Sequence, residues 1–191
     1  LALLYDIDKV QKQLDSDGHR TWDLVIYRCT YRSDSDWSEF IARFRTHVIK
    51  YLEFSEALNL LDDFHMTVFE DKSLDGARPA MVREKFNEWA KTAPQQEQNA
   101  TAGDTVRYAW CIYVDDGALE SIARKPDPDF LMDKSWGFVN PIQADWEPYD
   151  RFEGEDDLEE ENEPIDGCTN HDTGWMRVRY GKVIPLAYRG G

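Results

Sequence analysis

Apolar and polar residues recur along this chain with two periods, and each change of period marks an element. Residues 22–31, WDLVIYRCTY, are apolar on both phases and dense in β-branched and aromatic side chains. That pattern predicts a strand covered on both faces. Trp37, Phe40, Ile41, Phe44, Val48, Tyr51 and Leu52 then recur at spacings of three and four, which predicts an amphipathic helix. Asp36 and Glu39 read as its capping box. A second strand is expected over 64–70. Pro79 opens a second helix as a first-turn proline, with a stripe of Met81 or Val82, Phe86 and Trp89. Residues 94–104, PQQEQNATAGD, read as a polar linker. A third strand (106–114), an Asp115-Asp116-Gly117 turn, a short helix (118–125) and a fourth strand within 135–142 follow. Residues 175–180 alternate as a half-buried strand. Beyond them, Pro185 argues against a long central strand. The first 20 residues carry a weak helical pattern through Leu4, Ile7, Val10 and Leu14 that ends in Asp15-Ser16-Asp17-Gly18. They read as an arm or a peripheral helix.

The order β-α-β-α-β-α-β-β predicts an α+β fold. A ferredoxin-like sandwich fits it, with about five strands, helices on one face, an inserted helix at 79–91 and an acidic loop. A doubly wound parallel sheet is the rival, although the chain has no Gly-rich strand-to-helix turn for a nucleotide. The expected organisation is an N-terminal arm (1–20) and one α+β domain (21–191) interrupted by a flexible acidic loop at 145–166.

WDLVIYRCTYRSDSDW with the helix after it, and GWMRV near the C-terminus, carry a resemblance. The chain resembles a family of small α+β proteins common in filamentous fungi, over Trp22 to Tyr51 and Trp175 to Tyr180. The resemblance implies an α+β fold and a fungal source. It carries no activity and no site residues.

Charge adds the strongest single signal. Residues 145–166 hold twelve carboxylates and one arginine, a net −11 of the chain's −16, which leaves −5 for the other 169 residues. The centre of this run, EGEDDLEEENE, has too few apolar residues to offset the entropy of ordering, so a solvated loop is expected. With Lys and Arg at 22 against 38 acids, a phosphate-binding face is not expected. No stretch is apolar enough to predict a membrane span. Two of three cysteines, Cys29 and Cys111, sit inside strand-like runs and read as buried thiols of a protein from a reducing, intracellular compartment. The acceptor triplet Asn99-Ala100-Thr101 points the other way. The start, LALLYDIDKV, lacks the basic and long apolar regions of a leader, yet the first residue is not Met, which leaves secretion after leader removal open.

No catalytic motif is present: no Gly-x-Ser-x-Gly, no phosphate-binding Gly-x-x-x-x-Gly-Lys, no His-Glu-x-x-His. Cys168 and His171 have a two-residue spacing but no second pair, so no metal site and no cofactor are expected. The leading expectation is a non-catalytic interaction domain, effector-like if secreted. Its acidic loop (Glu155, Asp156, Asp157, Glu159, Glu160, Glu161) would meet a basic protein surface, with Trp175 as an exposed aromatic anchor. The alternative is a small cofactor-independent enzyme or ligand-binding protein, built as a dimeric ferredoxin-like barrel. Arg28, His65 and Tyr113, with Asp115 nearby, would be its polar groups, provided the strands bring them to one cleft.

Overall fold

The computed structural model describes residues 4–103, 105–124, 137–147 and 173–182. Within them a five-stranded sheet carries six helices, so the α+β class expected from the sequence is the class found. The strands are β1 (Val25–Arg28), β2 (Val68–Phe69), β3 (Trp110–Val114), β4 (Phe138–Gln143) and β5 (Val178–Arg179). The helices are α1 (Leu4–Asp17), α2 (Asp34–Phe54), α3 (Pro79–Ala90), α4 (Ala93–Gln98), α5 (Val106–Ala109) and α6 (Asp116–Ala123).

The strand order is β2-β1-β3-β4-β5. β1 runs parallel to both neighbours, with Ile26 opposite Val68 and Val25 opposite Cys111, whereas β4 and β5 run antiparallel. A ferredoxin-like sheet alternates direction at every neighbour. Here the first three strands instead follow the 2-1-3 parallel order of doubly wound sheets, with an antiparallel extension. The helix placement follows. The crossover from β1 out to β2 and the crossover back over β1 to β3 move in opposite directions. Right-handed connections therefore put α2 and α3 on opposite faces. The helix expected as an insertion is thus the cover of the second face.

The alternation of β1 and β3 divides the core in two. Leu24, Ile26, Ile112 and Val114 meet α2, α6 and the Val10 and Leu14 side chains of α1. Val25, Tyr27, Cys111 and Tyr113 meet Leu74, Val82 and Phe86 on and before α3. All of residues 22–30 are buried, which explains why the run is apolar on both phases. Phe40 and Phe86 are fully enclosed, and each ring contributes on the order of 2 kcal/mol by area removed from water. Of Met81 and Val82, Val82 is the one buried in α3, and Met81 is exposed.

Several boundaries shift for local reasons. Helix α2 starts earlier than expected because Ser33, not Asp36, is its cap; the Asp36 amide donates to Ser33 Oγ at 3.1 Å. The 94–104 linker contains α4, and the expected third strand opens with the single turn of α5.

Both deviations serve one buried network at the amino ends of β1 and β3. Arg107 donates from Nε and Nη2 to the two oxygens of Glu97, each at 2.9 Å, and from Nη2 to Thr67 Oγ1 at 2.9 Å. Its Nη1 donates to Asp23 Oδ1, and Asp23 Oδ2 accepts from the Thr67 amide at 2.7 Å. The Arg107 and Asp23 side chains are each 1% exposed. Burial pushes the Asp23 carboxyl up to about 7, against the pull of Arg107 and the Thr67 amide. The guanidinium shares its charge with Glu97, so it only partly offsets that desolvation. Between the ordinary 3.8 and about 7, the folded chain holds a proton that the unfolded chain has released. This group's stabilisation is therefore complete below pH 3.8 and lost as pH rises to about 7. We expect the Asp23→Asn variant, which keeps an acceptor for Thr67, to gain on the native chain across that window in urea denaturation. A stability difference that does not change with pH would show that Asp23 is not the titrating group.

Candidate functional site

Two places in the fold combine unusual side chains with a reason for their position. The first is the carboxyl end of the parallel strands. The chain leaves β1 towards β2 and β3 towards β4, and the two departing helices, α2 and α6, pack on the same face of the sheet. Open α/β sheets place ligands outside the carboxyl ends of their strands. A pocket of about 310 Å³ lies there, lined by Cys29 and Arg32 after β1, Asp75 and Gly76 before α3, and Tyr113, Asp115, Asp116 and Gly117 at the end of β3.

Each wall has a local cause. Asp115 caps α6, accepting from the Ala118 amide at 2.7 Å. Asp116 accepts from Thr30 Oγ1 and pairs with Arg32 at 2.9 Å. Gly76, at φ +69°, donates its amide to the Cys29 carbonyl at 3.0 Å, which joins the α3 approach to the end of β1. The Tyr113 hydroxyl donates to the Ala77 carbonyl at 3.0 Å, so the ring is fixed in the wall. Cys29 is 2% exposed and its thiol is not in a disulfide. Burial, with Asp115 and Asp75 nearby, pushes its thiol up to about 12, so it stays protonated and is no nucleophile. Cys111 is fully buried and raised for the same leading reason. The expectation of buried, inert thiols describes both.

The second place is the stem of the acidic segment. Helix α3 turns Arg83 towards it. Arg83 Nε donates to the Gln143 carbonyl at 2.9 Å and Nη2 to the Thr173 carbonyl at 3.0 Å, and the guanidinium lies 4.6 Å from the Trp146 ring centre. Asn87 donates to the Ala144 carbonyl at 2.9 Å. The Gln143 amide donates to the Gly174 carbonyl at 2.9 Å, and Ile142 bridges to Trp175. Gly174 adopts φ +67°, and a Cβ on it would stand 2.2 Å from Trp146 Cγ, so only glycine fits. The residues on the two sides of the acidic run are thereby held against each other. They lie beside the amino end of β3, where Gln143 faces Trp110, and thus at the far end of the sheet from the pocket.

The polar residues proposed for an enzyme cleft do not meet. Arg28 lies at the carboxyl end on the α2 face, opposite the face that carries Tyr113. It donates to Asp34 at 2.5 Å and Glu70 at 3.0 Å, and stacks on Tyr31 and Trp37. Burial opposes its charge, but those two carboxylates outweigh burial and hold its pKa above the ordinary value. It is the buried, paired arginine of a structural cluster. His65 is exposed and sits at the amino end, where its carbonyl faces Arg107. Tyr113 and Asp115 alone of this group share the pocket. A period-two pattern places a residue on a face, but the pairing of strands decides which end of which neighbour it meets.

Trp175 is not a free anchor: it is partly buried against the α3-face core, with its indole nitrogen enclosed. The exposed apolar side chain at the stem is its neighbour Met176, 55% exposed. Glu155, Asp156, Asp157, Glu159, Glu160 and Glu161, and the pair Cys168 and His171, lie outside the described residues. Among the described residues, no group of three or more His, Cys, Asp or Glu is placed to hold a metal ion. None of their helices is long and apolar enough to cross a membrane.

Sequence reasoning missed Arg83, although a signal existed. It stands on the stripe Pro79, Val82, Phe86 of α3, where a charged residue needs a buried partner. No family model matches the chain, and neither a curated protein nor a solved structure matches it.

Proposed function

We propose that this chain is a non-catalytic binding domain that holds out its acidic segment, from a fixed stem, to a basic surface on a protein partner. The observation that carries the reading is the stem. Arg83, Asn87 and Gly174 clamp residues 143–146 to 173–175 on either side of the run that holds −11 of the chain's −16 charge. A solubilising run needs no such anchorage. Concentrated charge of one sign speeds encounter with a surface of the opposite sign and loses that advantage as salt shortens its reach. Met176 beside the stem supplies apolar contact once the partner has docked.

The test compares the intact chain with one lacking residues 153–163, as bait against lysate at low and high salt, with light scattering of both baits. Partners identified by mass spectrometry are then purified and their affinities measured. We expect purified basic partners to lose most of their affinity both on deletion and at high salt. Partners indifferent to the deletion, or two baits that are equally tight dimers with no salt-sensitive partner, would refute the reading.

A further inference from the structure

We propose that the pocket at the carboxyl ends of β1 and β3 binds a small organic cation, with its amine or guanidinium between Asp75 and Asp115 and its stem against the Tyr113 ring. The inference goes beyond the role proposed for the acidic segment and does not depend on it, because the two places lie at opposite ends of the sheet.

Three observations converge on this class of ligand. The first is position: the cavity lies outside the carboxyl ends of two adjacent parallel strands and is of a size that takes a small molecule. The second is charge. Three carboxylates and one arginine line it. Arg32 is engaged with Asp116, and Thr30 donates to the same carboxylate. Asp116 is thus satisfied by groups of the protein, and the negative potential falls to Asp75 on one wall and Asp115 on the other. These carboxylates are not among any set placed to share one metal ion. A ligand with several donor atoms spans them better than a bare ion.

The third observation is the floor. Cys29 is 2% exposed and lines the cavity. A buried sulfur beside a fixed aromatic ring gives a soft, polarisable surface for the methylene stem of an amine. The Tyr113 ring in the same wall adds apolar surface for that stem. Gly76 and Gly117 keep side chains out of the mouth. The same head group exists on free amines and on the Lys and Arg side chains of proteins, and the pocket chemistry suits both.

The experiment uses the full chain, labelled with nitrogen-15 and titrated with agmatine, which carries one guanidinium and one amine. Butane-1,4-diol is the uncharged comparator, and a short peptide with one central arginine is the second arm. Saturable amide shifts at Gly76, Gly117 and Ala118 are expected with agmatine and not with the diol. Asp75→Asn and Asp115→Asn should each weaken that binding by about tenfold or more, the loss of one charge-assisted contact. Asn is as good a helix cap as Asp, so the second variant keeps α6 in place. Tighter binding of agmatine than of the peptide assigns the site to free amines, and the reverse order assigns it to a protein side chain. Shifts confined to the acidic segment, no saturation at the two glycines, or unchanged binding in both variants would overturn the proposal. The chain lacking residues 153–163 should bind agmatine at the glycines unchanged, so either proposal can fail without the other.

Discussion

Replacing Arg107 with Met should cost about 3–5 kcal/mol in urea denaturation at neutral pH, the typical loss when one member of a buried ion pair is removed. The side chain is 1% exposed and serves Asp23, Glu97 and Thr67 together. Met replaces much of its packing volume, so the cost is chiefly electrostatic. Asp23 would be left 1% exposed with the Thr67 amide as its remaining donor in the network. Its carboxyl already titrates near 7 with Arg107 present. Without the guanidinium it should climb further and take up a proton. The penalty should therefore shrink as pH falls, because a neutral carboxyl tolerates the site. Combining Arg107→Met with Asp23→Asn should recover part of the stability for the same reason. A cost that stays the same in acid would mean that packing, not charge, is what Arg107 contributes.

Gly174→Ala should open the stem of the acidic segment. The added methyl meets Trp146 at 2.2 Å, and φ +67° disfavours any side chain there. Left-handed strain accounts for about 1–2 kcal/mol. Displacing Trp146 from Arg83 adds to it, for a total of about 2–4 kcal/mol. Local opening limits the loss, since the stem can detach while the sheet persists. The expected readout is faster proteolysis at the ends of residues 148–172 with cleavage of β1 to β3 unchanged. Arg83→Met should act in the same direction by removing the donors to Gln143 and Thr173. If both variants resist protease like the native chain, the acidic segment does not depend on a clamped base, and the proposed presentation loses its structural footing.

The two sites were unequally legible in the sequence. Strand β1 and helix α2 stood out because every residue in 22–30 is buried and because Trp37, Phe40, Phe44 and Val48 form one stripe. Such periodicity is a local property. Strand order is not. The same run of β and α elements suits an alternating sheet or the 2-1-3 order found, and no short-range pattern separates the two. That ambiguity scattered the proposed cleft, since Arg28 and Tyr113 lie on opposite phases of parallel neighbours and His65 at the other end. The pocket was visible only as turn chemistry. Asp75-Gly76 and Asp115-Asp116-Gly117 read as loop residues, and strand pairing makes two distant turns into facing walls. α4 hid in the linker because its worth lies in Glu97, a polar residue whose partner is Arg107.

The parallel centre of the sheet has a consequence for how the chain comes into being. Strand β1 is apolar on both sides, yet neither of its partners is near in sequence: Ile26 waits for Val68, and Val25 for Cys111. A nascent chain emerging from the ribosome therefore carries its stickiest segment unpaired until β2 is made, and half-paired until β3 follows. Long-range parallel pairing is slow, and exposed strands of this kind associate with one another when crowded. The heavy negative charge that arrives later in the chain repels like molecules through the interval in which the sheet closes. Shortening the acidic run should thus show itself first as inclusion bodies during expression, before any partner is lost.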